Sequence, residues 1–231
     1  MYFRNVTLVA FAFATVAFAQ VNGIEDCVPV PASQPADAPF QVRYAANLQF
    51  GESYIAITNT GANGAPVLGP GFGAASGNIC VNVYAFDPNE ELISCCSCLV
   101  TPDQTVNLGV NRDLTSKTLT GVVPASVTVK LLVTLAGSGG SGTGAICNNS
   151  AATAASEGAL HVSGLAAWGT TLHATPTAGT YATTETPFTS ATLNQNELLS
   201  ITGRCASIIG NASGFGVCSS CRTGALGGSR L

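Results

Sequence analysis

The stretch ICVNVYAFDPNEELISCCSC, residues 79–98, decides the fold class. It holds two runs rich in β-branched and aromatic residues, which favour strands. Between them lies the sequence DPNE at 87–90, where proline fixes φ and the Asp and Asn side chains bond their own backbone. The stretch therefore predicts a β-hairpin.

The position of the turn also indicates a partner for Cys80. One register pairs Phe86 with Leu92 across the turn. In that register Cys80 lies opposite Cys98, whereas a shift of two residues places it opposite Cys96. We therefore predict a disulfide between Cys80 and either Cys96 or Cys98.

Further strand patterns lie on both sides of this hairpin. Gly51-Glu52, between two alternating runs, suggests a second hairpin. Each candidate strand alternates apolar and polar residues or is rich in β-branched ones. The candidates are 42–50, 53–59, 105–110, 126–135 and 159–173. The chain is thus predicted to be mainly β, a disulfide-stapled, β-sandwich-like domain.

One helix is predicted in the second half of the chain, near 195–209. Asn194 can cap its first turn, with Glu197 three positions further on. Cys205 falls on the apolar face of this helix, together with leucine and isoleucine residues at steps of three and four. The glycine-rich sequence NASGFG that follows would let the chain fold back, so Cys218 or Cys221 is the expected partner of Cys205.

Residues 1–19 have the features of a secretory signal peptide. One basic residue, Arg4, precedes an apolar stretch at 6–18, and the sequence AFA at 17–19 matches a cleavage site. The apolar stretch is shorter than the about 20 residues that a membrane-spanning helix needs. We therefore expect a cleaved, secreted chain without stable membrane insertion.

The rest of the chain divides into a leader and a domain. Residues 20–40 contain four prolines and little periodicity, which predicts an extended leader. Residues 41–231 are predicted to form a single β-rich domain. A glycine- and serine-rich run marks the alternative, a division at 136–146.

Nine cysteines follow the predicted signal peptide, and disulfides persist in oxidising compartments. An odd count leaves one thiol after four bridges, either buried or bonded to another molecule. Adjacent Cys95 and Cys96 should point to opposite faces of their strand. The CSSC sequence at 218–221 has redox spacing, but no helix pattern follows it, so a structural role is expected. The disulfide candidates are Cys27, Cys80, Cys95, Cys96, Cys98, Cys147, Cys205, Cys218 and Cys221.

The composition excludes several classes of protein. Only 9% of the 231 residues are charged and 46% are hydrophobic, which is the opposite of the signature of disorder. The 8 basic residues are scattered, so no nucleic-acid partner is expected. Ser, Thr, Asn, Gly and Ala must form most of the surface.

No motif in the sequence indicates catalysis, a cofactor or a metal. The nucleophile motif GxSxG is absent, and His161 and His173 have no carboxylate neighbour in sequence. The cysteines at 95–98 and 218–221 have the residue types of a zinc or iron–sulfur site, but export argues against one. We therefore expect no catalytic, cofactor-binding or metal-binding residues.

Several long strings resemble an uncharacterised family of exported, cysteine-containing bacterial proteins. They are ICVNVYAFDPNEELISCCSC, NRDLTSKTLTGVVPASVTVKLL, GLAAWGTTLHA, TETPFTSATL and GFGVCSSCRTGAL, and they cover most of residues 78–225. The resemblance implies secretion from a bacterium. It implies no activity, cofactor or functional residue.

The function expected from these observations is that of a non-catalytic structural protein, secreted or at the cell surface. Low charge would let it associate with itself or with other surface components, the leader serving as an added strand. An alternative is a glycan-binding module in which Tyr54, Tyr84, Trp168 or Tyr181 stacks on a sugar ring. A further alternative is a secreted hydrolase whose triad assembles from distant residues.

Overall fold

Within the residues that the structure describes, ten strands form two antiparallel sheets of five strands each. Sheet A and sheet B face each other, which confirms the predicted mainly β, sandwich-like fold. The strands are β1 (Phe40–Ala45), β2 (Tyr54–Asn59), β3 (Ile79–Phe86), β4 (Leu92–Val100), β5 (Thr105–Gly109), β6 (Val127–Leu135), β7 (Leu165–Ala174), β8 (Tyr181–Pro187), β9 (Thr189–Ser190) and β10 (Arg222–Thr223). The strand order is β4-β3-β6-β1-β9 in sheet A and β10-β5-β2-β7-β8 in sheet B.

This computed structural model describes residues 36–67, 77–136, 147, 161–219 and 221–223, all of which belong to one unit that spans 34–231. The predicted signal peptide, the leader up to residue 35 and the predicted division from residue 137 onward lie outside the described residues. Among the described helices, none combines the length and the apolar character that crossing a bilayer requires.

The main core lies between the two sheets. Alternation along β3 directs Val81 and Val83 inward, where they belong to the same buried cluster as Ile55 and Ile57 of β2. The other side chains of β3 point to the opposite face of sheet A, yet that strand is buried along its entire length. Sheet A must therefore be covered on both faces.

Helix α1 (Gln195–Gly210) supplies this second cover. Its apolar face packs against the outer face of sheet A in a second cluster. That cluster contains Phe40, Tyr84, Phe86, Leu92, Cys95, Leu132, Leu198, Ile201, Cys205 and Ile208. The sequence predicted the helix correctly: Asn194 Oδ1 accepts a hydrogen bond of 2.8 Å from the Glu197 backbone N–H. The Glu197 carboxylate itself pairs with Lys130 of β6.

The predicted hairpin at 79–98 is present as β3 and β4, but its register differs along its length. Phe86 faces Leu92 at the turn, as expected, and an irregularity at Ala85/Phe86 then moves the register by one residue. Cys80 consequently lies opposite Leu99. The predicted bond from Cys80 to Cys96 or Cys98 is therefore wrong, because those two cysteines point to the opposite face of the sheet.

The second predicted hairpin, at Gly51-Glu52, is also wrong. β1 belongs to sheet A and β2 to sheet B, so the two strands do not pair. Between them, Asn47 adopts a left-handed conformation with φ 62°, and a 3₁₀ helix over Leu48–Phe50 follows. Leu48 is buried in the main core, so this segment carries the chain from one sheet to the other.

Four disulfides join the eight cysteines of the described residues, and three of them start from β4. Cys95 points outward and bonds Cys205 on the helix, so the predicted partner of Cys205, Cys218 or Cys221, is wrong. Cys95 and Cys96 do point to opposite faces, as predicted. The bonds are Cys80–Cys147, Cys95–Cys205, Cys96–Cys218 and Cys98–Cys221. Cys27 lies outside the described residues.

On each long side of the sandwich the chain crosses from one sheet to the other. On one side, Gly216 and Cys218 exchange backbone hydrogen bonds with Cys95 of β4, and the chain then enters sheet B as β10. On the other side, the chain leaves sheet B after β8 and enters sheet A as β9, crossing at Phe188. The outer face of sheet B, in contrast, has no α-helix of the described residues packed on it, and only Phe50 of the 3₁₀ helix is stacked there, on Tyr181 of β8.

Candidate functional site

A row of four residues crosses the outer face of sheet B. Asn107 of β5 lies opposite Ala56 of β2, Ala56 lies opposite Trp168 of β7, and Trp168 lies opposite Pro187 of β8. Alternation places all four on the face that points away from the core, because the flanking Ile55, Ile57, Val106 and Leu108 are core residues.

We call the outer surface along this row the trough, because its second residue, Ala56, has a smaller side chain than the residues on either side of it. Ala56 separates the Asn107 amide from the Trp168 indole by two strand spacings, about 10 Å between their Cα atoms. Tyr54 lies on the same strand and face, two residues along from Ala56, or about 7 Å away. On the opposite flank, the hydroxyls of Thr58 and Thr105 are 2.9 Å apart. The trough thus has an aromatic side and a polar side.

Asn107 is the unusual member of this row. Only 6% of its surface is exposed, and neither its amide nitrogen nor its amide oxygen has a hydrogen-bond partner. A buried amide without partners is costly, and proteins seldom retain one without a reason. The amide has one donor group and one acceptor unused, but both atoms are shielded from solvent, so a ligand on the row would reach them only after the groups that cover them move.

Three of the four aromatic residues proposed as sugar contacts share this face. Trp168 is 38% exposed, Tyr54 is half-buried, and Tyr181 is 45% exposed at the far end of β8. The Tyr181 ring stacks on Phe50, with 5.5 Å between ring centroids. The fourth candidate, Tyr84, is wrong: it is fully buried between sheet A and α1, and this burial raises the pKa of its hydroxyl.

Arg43 of β1 places its guanidinium against the inner face of sheet B. Its Nη1 donates to the Thr186 carbonyl oxygen at 3.1 Å, and its Nη2 donates to Thr171 Oγ1 at 2.8 Å. The guanidinium lies against Gly169, where a Cβ atom would be 2.3 Å from its Nε. Desolvation lowers the pKa of Arg43, and Glu185 opposes this shift. Arg43 therefore links the two sheets between β1 and the β7–β8 hairpin.

Neither histidine is arranged as the base of a hydrolase triad. His173 Nε2 lies 2.8 Å from Thr184 Oγ1. His161 pairs with Thr134 at the end of β6, its Nε2 is buried without a partner, and burial lowers its pKa. Within the described residues, neither ring is hydrogen-bonded to a carboxylate that would orient it.

The cysteines considered as metal ligands do come together. The sulfur atoms of Cys96, Cys98 and Cys221 lie within 4.8 Å of one another. Each of them belongs to a disulfide, and a disulfide sulfur is not the thiolate that zinc requires. In this oxidised form the cluster fastens the C-terminal segment to β4.

Comparison of the chain with protein-family models, with curated proteins and with solved structures gave no match. The resemblance to exported, cysteine-containing bacterial proteins therefore stays a prediction. The functional argument depends on the geometry of the site alone.

Proposed function

We propose that this protein is a non-catalytic component of the cell surface or the secreted fraction, and that it binds neutral glycans on the outer face of sheet B. The observation that carries the proposal is the row of Asn107, Ala56 and Trp168. An exposed indole and a buried, unpartnered amide belong to the same row.

The chemistry of a sugar ring suits this arrangement. A pyranose has an apolar C–H face, which packs on an aromatic ring such as Trp168, and an edge of hydroxyl groups that need hydrogen-bond partners. Once uncovered by a small movement of its surroundings, the Asn107 amide can donate to one hydroxyl and accept from another. The hydroxyls of Thr58 and Thr105 extend the polar side of the trough.

The charge of the chain favours an uncharged ligand. The four residues of the row are uncharged, Arg222 of β10 pairs with Asn107 at the end of the row, and the protein has a formal net charge of −4. Anionic polysaccharides would be repelled at low ionic strength. The four disulfides agree with an oxidising compartment outside the cytosol, where such polymers occur.

Calorimetric titration with hexasaccharides of glucose, xylose, mannose and N-acetylglucosamine tests the proposal, with polygalacturonate as the anionic comparison. We expect binding to at least one neutral hexasaccharide. Trp168→Ala should weaken it at least about tenfold, equivalent to about 1.4 kcal/mol. Tyr44→Ala is the matched control, because Tyr44 is 62% exposed and belongs to sheet A.

Asn107→Ala provides a second, independent test. It should weaken binding without lowering the thermal midpoint, because the amide has no partner in the protein to lose. The proposal fails if no neutral hexasaccharide binds at millimolar concentration. It also fails if Trp168→Ala and Tyr44→Ala bind equally well.

A further inference from the structure

Among the described residues, strand β8, Tyr181–Pro187, forms one edge of sheet B. It is the last strand of the order β10-β5-β2-β7-β8, and all seven of its residues are exposed. An exposed edge strand presents unpaired backbone donors and acceptors, to which another strand can add. Edges of this kind are covered, charged or used for association.

The hydrogen bonds to β7 show which backbone groups of β8 point outward. The Phe188 N–H donates to the Ala167 carbonyl, and the Thr175 N–H donates to the Thr180 carbonyl. The β7–β8 register is regular between these two bonds. Even-numbered residues of β8 therefore face β7, and residues 181, 183 and 185 direct their N–H and C=O groups away from the sheet.

We propose that two copies of this chain pair their β8 strands in antiparallel orientation, about a two-fold axis at Thr183. In this register the Thr183 residues of the two copies lie opposite each other, and Tyr181 of each copy lies opposite Glu185 of the other. All three outward donors and all three outward acceptors of each strand are then used. The two B sheets become one continuous sheet.

The sequence of β8 selects this register over its neighbours. A two-fold axis at Glu185 would place the two carboxylates opposite each other and bring Pro187, which has no N–H, opposite Thr183. An axis at Tyr181 would pair β8 with the turn that precedes it. With the axis at Thr183, each Glu185 faces a tyrosine, and the two central residues are β-branched, as strand pairs favour.

The pairing closes on itself and stops at two copies. A two-fold contact uses the same edge of both partners, so no β8 edge remains for a third copy. The edge at the other end of sheet B is the short strand β10, of two residues. Because only 9% of the residues are charged, repulsion between the two copies is small.

A dimer of this form would present two outer faces of sheet B side by side. If the glycan-binding proposal is correct, both troughs could engage one polymer, and the second contact would form at a high effective concentration. The dimer itself does not depend on that proposal. A protein that dimerises without binding sugar, or binds sugar as a monomer, would separate the two.

Sedimentation velocity of the full secreted chain, from micromolar to submillimolar concentration, tests the dimer. We expect dimer to form as the concentration rises. Thr183→Pro removes the central donor at a position where an edge strand tolerates proline, and should weaken dimerisation at least about tenfold. Thr183→Val keeps the backbone N–H and the β-branched side chain, and should dimerise as the wild type does.

Cross-linking fixes the register. Thr183→Cys should give a covalent dimer on mild oxidation, because residues paired directly across two strands have Cα atoms about 5.5 Å apart, within the range of a disulfide. Ala182→Cys is the control. In the proposed register residue 182 lies opposite residue 184 of the other copy, so the two introduced cysteines would be offset by two residues along the strands, beyond the range of a disulfide. Peptide mapping must place the bond at 183. A monomer at every concentration, or equal cross-linking at 182 and 183, would overturn the proposal.

Discussion

Replacing Gly169 by alanine should destabilise the sandwich through Arg43, a residue on the other sheet. A Cβ atom at 169 would lie 2.3 Å from Arg43 Nε, 2.6 Å from Cδ and 2.7 Å from Cζ. These distances are far below van der Waals contact, so the guanidinium must move. Its hydrogen bonds to Thr186 and Thr171 would then be lost.

The size of the effect follows from these bonds. Hydrogen bonds to charged groups contribute about 1.5–3 kcal/mol each, and a displaced guanidinium recovers part of this in water. We therefore expect Gly169→Ala to lower the free energy of unfolding by about 2–4 kcal/mol. For a domain of this size, that corresponds to a fall of about 4–16 °C in the thermal midpoint.

A double-mutant cycle isolates the mechanism. In an Arg43→Met background the steric conflict with the guanidinium is absent, so Gly169→Ala should cost little or add about 0.4–1 kcal/mol by restricting the unfolded chain. Gly203→Ala is the matched control: nothing lies within 4 Å of its added Cβ, and it should stabilise α1 by about 0.5–1 kcal/mol. Equal costs of Gly169→Ala in both backgrounds, measured by urea unfolding, would refute the reasoning.

Three other predictions concern buried groups. Tyr84→Phe should raise the free energy of unfolding by about 1–3 kcal/mol, because the Tyr84 hydroxyl is buried without a partner; a loss of stability in urea unfolding would contradict this. Because burial lowers the pKa of His161, the unfolded chain binds that proton more readily, and stability should fall as the pH drops below about 6.5. His161→Gln should flatten this fall in urea midpoints measured from pH 8 to pH 5, and an unchanged profile would show that His161 is not its source. The double replacement Cys95→Ala/Cys205→Ala should cost about 2–5 kcal/mol, and a mapped bond from Cys205 to any other cysteine would count against the described pairing.

Local signals were enough to predict the helix and the central hairpin. Asn194 and the apolar steps that follow it lie within one segment, so no distant contact was needed to place α1. The DPNE turn likewise set the start of the hairpin, and Phe86 faces Leu92 as predicted. Predictions of this kind succeed because the interactions that decide them are close in sequence.

The disulfides could not be predicted in the same way. One irregularity next to Phe86 shifts the register by one residue for every pair farther from the turn. Because side chains alternate with a period of two, this shift places Cys96 and Cys98 on the face of the sheet opposite to Cys80. The partner of Cys95 depends on where α1 packs on sheet A, which is a contact across 110 residues. Alternation shows that cysteines take opposite faces, but not what covers each face.

The candidate site was predictable only in part, because alternation shows which face of a strand a residue takes but not what covers that face. The alternation in β2 placed Tyr54 on one side of a strand, and the exposure of Trp168 and Tyr181 agrees with their selection. Tyr84 fits the same sequence pattern, but α1 covers its face of sheet A. Asn107 carries no sequence signal, because its importance comes from the amide partners that it lacks in the folded protein.

The four disulfides also bear on how this protein is made. Each joins a cysteine of residues 80–98 to one of residues 147–221, with separations of 67 to 123 residues. At a synthesis rate of about 5–20 residues per second, Cys80 and the three cysteines of β4 exist for seconds before their first correct partner is made. Any bond that these four form with one another in that interval is incorrect. A chain with this connectivity therefore needs oxidation that waits for its C-terminal residues, or an isomerase that reopens the early bonds.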